Sequence, residues 1–228
     1  MRKQVAVIGL GRFGDSVAKS LFSMGNDVLA LDIDGKLVES IASEITHAVQ
    51  ADATNEAVLK ELGIGDFEVA IVAVGDDIQT NVLSTILLKK LGVPYVIARA
   101  ENNLHGSILE KIGADRVIYV EEEMGARVAH GLVLKNVEGV LDYMSVAPTY
   151  GVAKIAAPPY FVGKTLSELE FGRGGKWKIT VLLIQREDEI IVTPVRTEVV
   201  KPKDIMVLAG NDENLRQLLT NAQKKLME

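Results

Sequence analysis

The chain has 228 residues, enough for one large domain or two small ones whose cores need no covalent staples. Hydrophobic residues make up 48% and charged residues 25%, the balance of an ordinary globular protein rather than a disordered or fibrous one. With 25 Lys plus Arg against 31 Asp plus Glu the formal charge is -6 and no basic stripe is visible, which argues against nucleic acid as a partner, while the zero cysteine count removes disulfides, thiolate metal sites and cysteine nucleophiles.

The first residues, Met1 to Val7, reach Gly9 and Gly11 too early to leave a signal-peptide core, and no run approaches ~18 apolar residues. The expectation is a chain neither secreted nor membrane-spanning. Six strands are then predicted, at Gln4 to Gly9, Asp27 to Asp32, His47 to Ala51, Glu68 to Val74, Tyr95 to Ala100 and Arg116 to Val120. Helical spacing lies between them, with Val17, Leu21 and Met24 in the first helix and Leu37, Val38, Ile41, Ala42 and Ile45 in the second. Alternation of this kind builds a Rossmann-type doubly wound parallel sheet, and a nucleotide site after the first strand favours strand order 3-2-1-4-5-6. Glu122 to Leu134 reads as a last helix, and the texture changes near 138 to 148. The predicted domains are 1–138, nucleotide-binding, and 139–228, a smaller α+β domain. In the latter, strands are expected at Val152 to Ala157, Ile179 to Gln185, Ile190 to Thr193 and Ile205 to Ala209, with helices at Thr165 to Leu169 and Asp212 to Leu226.

In Gly9-Leu10-Gly11-Arg12-Phe13-Gly14 the first glycine permits the tight turn and the second admits the phosphates to the backbone. The third lets helix and strand pack closely. Asp32 ends the second strand, 18 residues after Gly14, where its carboxylate suits both ribose hydroxyls and repels a 2′-phosphate. Asp34 suits a helix cap. Asp52 has two readings, an acceptor for the adenine amino group or the N-cap of a helix over Asn55 to Leu62. Arg12 places a permanent cation beside the phosphates, which favours ATP or ADP over NAD(H); the alternative is a solvated arginine at a helix start. Glu121 to Glu123 sit where a helix dipole stabilises acidic side chains without any ligand, or where a divalent cation binds. Arg99, ending the fifth strand, either adds positive charge to the crevice or is an ordinary surface residue.

These motifs, with Leu31-Asp32, Ala51-Asp52-Ala53-Thr54 and Ile112-Gly113-Ala114-Asp115-Arg116-Val117-Ile118, resemble the cytoplasmic regulatory subunits of Trk/Ktr-type potassium uptake systems, the stand-alone RCK (regulator of potassium conductance) proteins. The resemblance covers nearly the whole chain and implies an RCK N-domain followed by an RCK C-domain. It implies ATP or ADP in the N-domain, contacted by Gly9, Gly11, Arg12, Phe13, Gly14, Asp32, Asp52, Ala53 and Arg99. It also implies dimers assembling into an octameric ring beneath a membrane potassium channel subunit, peripheral to the inner face of the plasma membrane. In that family Arg12 matches an arginine at the terminal phosphate, and Glu121 matches a carboxylate that binds a divalent cation between subunits. Some members bind cyclic di-AMP in the C-domain. Here Phe171 to Lys178 departs from their pattern, leaving open whether Arg173 takes part or the stretch is only a glycine loop.

His47, His105 and His130 lack metal-ligand spacing and read as structural, and Asp76 and Asp77 read as caps for a helix containing Val82, Leu83 and Ile86. Trp177 and the methionines read as packing residues. The rival function is an NAD-dependent oxidoreductase. Residues 139–228 contain no histidine for proton transfer, and no basic helix-turn-helix supports a transcriptional regulator. A non-enzymatic sensor is therefore the leading expectation.

Overall fold

The structure, a computed structural model, describes residues 2–135, 139–172 and 174–224. The chain divides into two compact units, Met1–Glu122 and Glu123–Glu228.

In the first unit the expected alternation is present. Its strands are β1 (Gln4–Ile8), β2 (Asp27–Asp32), β3 (His47–Gln50), β4 (Val69–Val72), β5 (Tyr95–Arg99) and β6 (Arg116–Ile118), all parallel, in the order β3-β2-β1-β4-β5-β6. The helices between them are α1 (Arg12–Ser23), α2 (Gly35–Ile41), α3 (Glu56–Glu61), α4 (Ile78–Lys90) and α5 (Asn103–Lys111). Alternation along β1 explains the layering. Val7 faces a core shared with Ala18, Val38 and Ile41, while Ala6 and Ile8 face a second core with Leu59, Leu88 and Leu109. Burial on both faces is why the central strands β1, β2 and β4 read as continuous apolar runs.

Two helices orient differently from their sequence pattern. In α1 the fully buried residues are Gly14 and Ala18, and Met24 is its exposed C-terminal cap. In α4, Leu83 and Ile86 remain exposed, while Asn81, Ser84, Thr85 and Leu88 turn inward. Small polar residues let α4 approach the sheet, and they find partners within the helix and beyond β3: Ser84 Oγ donates to the Ala53 carbonyl at 3.3 Å and Thr85 Oγ1 to the Asn81 carbonyl at 2.9 Å.

The helix α6 (Val120–Lys135) starts two residues before the Glu122 predicted for it, at the residue predicted to end β6, and runs across the division between units. The second unit is an antiparallel sheet of β7 (Val140–Ala147), β8 (Tyr150–Ala156), β9 (Thr180–Arg186), β10 (Glu189–Val192) and β11 (Ile205–Asn211), in the order β10-β9-β11-β8-β7. Strand β7 was not expected, because its exposed Leu141, Met144 and Val146 hide the alternation that marks a half-buried strand. One sheet face, with Tyr143, Ile155, Ile184, Met206 and Leu208, packs in a core with Leu215, Leu218, Leu219 and Ala222 of α7 (Asp212–Lys224). Spacing of i, i+3, i+4 and i+7 gives α7 its apolar stripe, each buried leucine contributing about 1.5–3 kcal/mol. Phe161 and Phe171 meet edge to face at 5.7 Å in the same core, and Trp177 is half-buried against it.

The helix expected over Thr165 to Leu169 is instead a turn. Thr165 and Glu168 form the reciprocal pair of a helix start, with Thr165 N–H donating to Glu168 Oε2 at 2.7 Å and Glu168 N–H to Thr165 Oγ1 at 3.2 Å. Helix propagation then fails because Glu170 adopts φ 56°. Arg173, the His130 side chain and the last residues of the expected C-terminal helix lie outside the described residues.

Candidate nucleotide site

A cleft of about 910 Å³ opens in the first unit at the carboxyl ends of β1, β2, β4 and β5. Its lining includes Gly9, Gly11, Arg12, Phe13, Asp32, Asp52, Ala53, Arg99 and Glu121. Nine of the ten residues singled out from the sequence thus share one surface. The tenth, Gly14, lies beneath it, where an added Cβ would overlap the Gly9 carbonyl oxygen and sit 3.1 Å from Ala73 Cβ. Its lack of a side chain sets the approach of α1 to the sheet.

The glycine loop is built by two further contacts. Gly9 adopts φ 92°, a left-handed conformation suited to glycine, and its N–H donates to the Leu31 carbonyl at 2.8 Å. Gly11 caps α1 without a side chain, and a Cβ there would meet nothing within 4 Å. The first N–H groups of a twelve-residue helix therefore face open space at the cleft, a geometry that favours an anion. Arg12 is exposed at the same place.

Asp32 is half-buried and already engaged by the backbone: Leu10 N–H donates to its Oδ2 at 2.6 Å and Asp34 N–H to its Oδ1 at 2.8 Å. Asp34 caps α2 through Lys36 N–H, as its position suggests. Asp52 does not cap α3. That cap is Asn55, which accepts from Ala57 N–H and Val58 N–H. Asp52 instead accepts from Thr54 N–H at 2.8 Å and Thr54 Oγ1 at 2.6 Å, bonds that hold its carboxyl below the usual aspartate range. Fixed by that turn, it stays exposed on the cleft wall.

Arg99 and Glu121 form an ion pair at the cleft. The arginine side chain is 19% exposed and its Nε is buried with no hydrogen-bond partner, whereas the glutamate side chain is 66% exposed. Among the described residues, no group of three or more His, Cys, Asp or Glu could hold a metal ion. Asp77 caps α4, accepting from Thr80 N–H at 3.0 Å and Thr80 Oγ1 at 2.7 Å. Asp76, Asp77 and Thr80 nevertheless line the cleft, as do Gly75, Ser16, Ile33 and Leu37. A capping role is expected of Asp76 and Asp77 alike, but only Asp77 caps α4, and Gly75, next to them at the end of the predicted strand, is the local signal of the cleft.

The Ile112 to Ile118 motif is a brace. Asp115 Oδ2 accepts from Val96 N–H at 2.7 Å and from Lys89 Nζ at 2.9 Å, tying β5 and α4 to the entry of β6. His105 is buried, with Nδ1 accepting from Glu101 N–H at 3.3 Å, which fits a structural role.

The sheet order, the glycine loop and the acidic residue closing β2 define a Rossmann-type domain. Two family models match the chain: the TrkA-N domain over residues 5–120 and the TrkA-C domain over residues 152–222. It is 41% identical to Ktr system potassium uptake protein C of Bacillus subtilis (strain 168) over 92% of this chain and 93% of that protein. It is 40% identical to Ktr system potassium uptake protein A of the same organism over 94% and 95% of the two chains. Against Ktr system potassium uptake protein A of Vibrio alginolyticus the identity is 33% over 95% and 96%. The chain belongs to the Ktr potassium uptake protein family, and these three relatives carry names of uptake proteins and not of enzymes.

Among solved structures, the GsuK RCK domain shares the fold with a TM-score of 0.61 at 18% identity, over 96% of this chain and 47% of that one. The GsuK channel bound to NAD gives 0.58 at 17% identity, over 94% and 38%. This chain thus spans about half or less of those solved chains. No helix among the described residues is long and apolar enough to cross a membrane.

Proposed function

We propose that the chain is the nucleotide-sensing regulatory subunit of a potassium uptake system. ATP or ADP occupies the cleft of the first unit, with NAD(H) as a weaker alternative. The protein assembles as dimers into an octameric ring and acts on a membrane potassium channel subunit from the cytoplasmic face. The observation that carries the reading is the polarity of the cleft. A carboxylate suited to a ribose sits at the end of β2, and an uncapped helix N-terminus with Arg12 beside it faces the same space. On a chain of this family, that arrangement suits a sensor.

A nucleotide that bound two ring arrangements equally would shift neither, so ATP and ADP must differ in a contact. Arg12 is the residue to supply it, because a terminal phosphate is where the two ligands diverge. Arg99 is the second cation within reach of the cleft. The lining holds Asp32, Asp52, Asp76, Asp77 and Glu121 against these two arginines, so a polyphosphate entering alone adds negative charge to an acid-rich surface. A divalent cation beside the phosphates relieves that repulsion, with Glu121 as its protein ligand.

The test is titration calorimetry of the full chain with ATP, ADP and NADH, each with and without Mg²⁺, followed by potassium flux in vesicles holding the co-purified channel subunit. Binding of ATP and ADP, strengthened by Mg²⁺ and coupled to flux, is expected. Binding of NADH alone, or flux indifferent to nucleotide, overturns the reading.

A further inference from the structure

We infer that Asn81, which does not line the cleft, is the residue that positions Arg99 for nucleotide recognition; the inference rests on the function proposed above. The ladder between β4 and β5 ends at the pair Val72 and Ala98. Beyond it the two chains continue as the cleft wall without a bond between them in register. There Asn81, fully buried in the first turn of α4, donates Nδ2 to the Val74 carbonyl at 2.6 Å and to the Arg99 carbonyl at 2.9 Å. One side-chain amide substitutes for the missing rungs.

The two carbonyls are the two sides of the slot that holds Arg99. One belongs to Arg99 itself. The other immediately precedes Gly75, which packs so closely on the guanidinium that a Cβ there would overlap Nη1. Arg99 Nε is buried without a partner, so the head group is placed by this slot and by its pair with Glu121. Asn81 is in turn fixed at its backbone, its N–H donating to the Asp77 carbonyl at 3.0 Å and its carbonyl accepting from Thr85 Oγ1. An ionised aspartate at this position would set a carboxylate against two carbonyl oxygens, and serine would keep a single donor. Only a primary amide of this length brings two hydrogens to both walls.

A double-mutant cycle separates positioning from general support. ATP affinity and thermal unfolding are measured on the full chain for the wild type, Asn81→Ser, Arg99→Ala and the double variant. Asn81→Ser should weaken ATP by about five- to thirtyfold. The same change should cost no further affinity when Arg99 is absent, while its thermal destabilisation stays the same in both backgrounds. Gly75→Ala, which crowds the slot from its other wall, should repeat the pattern and serves if Asn81→Ser does not fold. Additive affinity losses, or wild-type ATP binding by Asn81→Ser or by Arg99→Ala, overturn the inference while leaving the nucleotide reading intact. A wild-type chain that binds none of ATP, ADP or NADH removes that reading and this one with it.

Discussion

Leu10 and Asp32 are joined by a backbone N–H that donates to the carboxylate at 2.6 Å, so the glycine loop closes onto the acidic end of the neighbouring strand. The second oxygen is held by Asp34 N–H. The carboxylate is therefore oriented before a ligand arrives, and each oxygen keeps a lone pair for a ribose hydroxyl.

Replacing that carboxylate separates its two duties. Asp32→Ala strands two N–H groups and should lower stability by about 1–3 kcal/mol in urea unfolding. Asp32→Asn keeps an oxygen acceptor and should lose less stability, yet bind ATP at least tenfold more weakly by calorimetry, on the scale of ~1.4 kcal/mol. Unchanged ATP affinity in Asp32→Asn would reject the ribose role.

Arg12 is exposed, so Arg12→Ala should leave the unfolding free energy within about 0.5 kcal/mol of wild type. Loss of a charge-assisted phosphate contact should weaken ATP by about 1.5–3 kcal/mol and ADP by less. Equal losses for the two nucleotides would remove Arg12 as the discriminating contact.

The loop glycines should fail in different ways. At Gly14 a Cβ has nowhere to go, and Gly14→Ala should destabilise the first unit by at least ~1–3 kcal/mol, the usual result of overpacking. At Gly11 the space is open, so Gly11→Ala should unfold like wild type and show its effect only as weaker nucleotide binding. Circular dichroism melts beside calorimetry would reveal whether the two effects separate.

In the second unit, Arg186 and the fully buried Asp204 share two hydrogen bonds, at 3.0 and 2.9 Å, and Glu198 completes the network. Burial alone would raise the Asp204 carboxyl, but bonds from Arg186 and from Lys201 N–H outweigh it and hold the group below its ordinary 3.8. A carboxylate whose folded value is depressed stabilises the fold above its unfolded value and loses that contribution as pH falls through the folded one. Acid unfolding of this unit should therefore steepen below about pH 4. Asp204→Asn should flatten that slope and cost, at neutral pH, the low end of ~3–5 kcal/mol, because Arg186 retains Glu198. Chemical denaturation across pH 3 to 7 on both proteins is the measurement.

The parallel sheet was legible because its central strands are buried on both faces and its strands are separated by glycine and cap signals that belong to local chemistry. The cleft's loop, its acidic strand end and Arg12 were legible for the same reason, since each acts near its place in the chain. What escaped depends on distant partners. Asn81 looks like an ordinary polar residue beside Val82 and Leu83, and only the convergence of two strand ends above it reveals its task. Strand β7 escaped because its outer residues are apolar and exposed, and the Thr165 turn because a sound helix start is followed by one left-handed residue.

Each unit encloses its own apolar interior, one around Ile8 and Leu88, the other around Ile155 and Leu208. Heat should therefore be absorbed in two overlapping transitions, with a calorimetric enthalpy larger than the van't Hoff value of either. A nucleotide bound in the cleft should raise the midpoint of the half that holds it. A melting curve fitted with one midpoint would then average two different responses, and would understate the affinity for a nucleotide held in the cleft of the first.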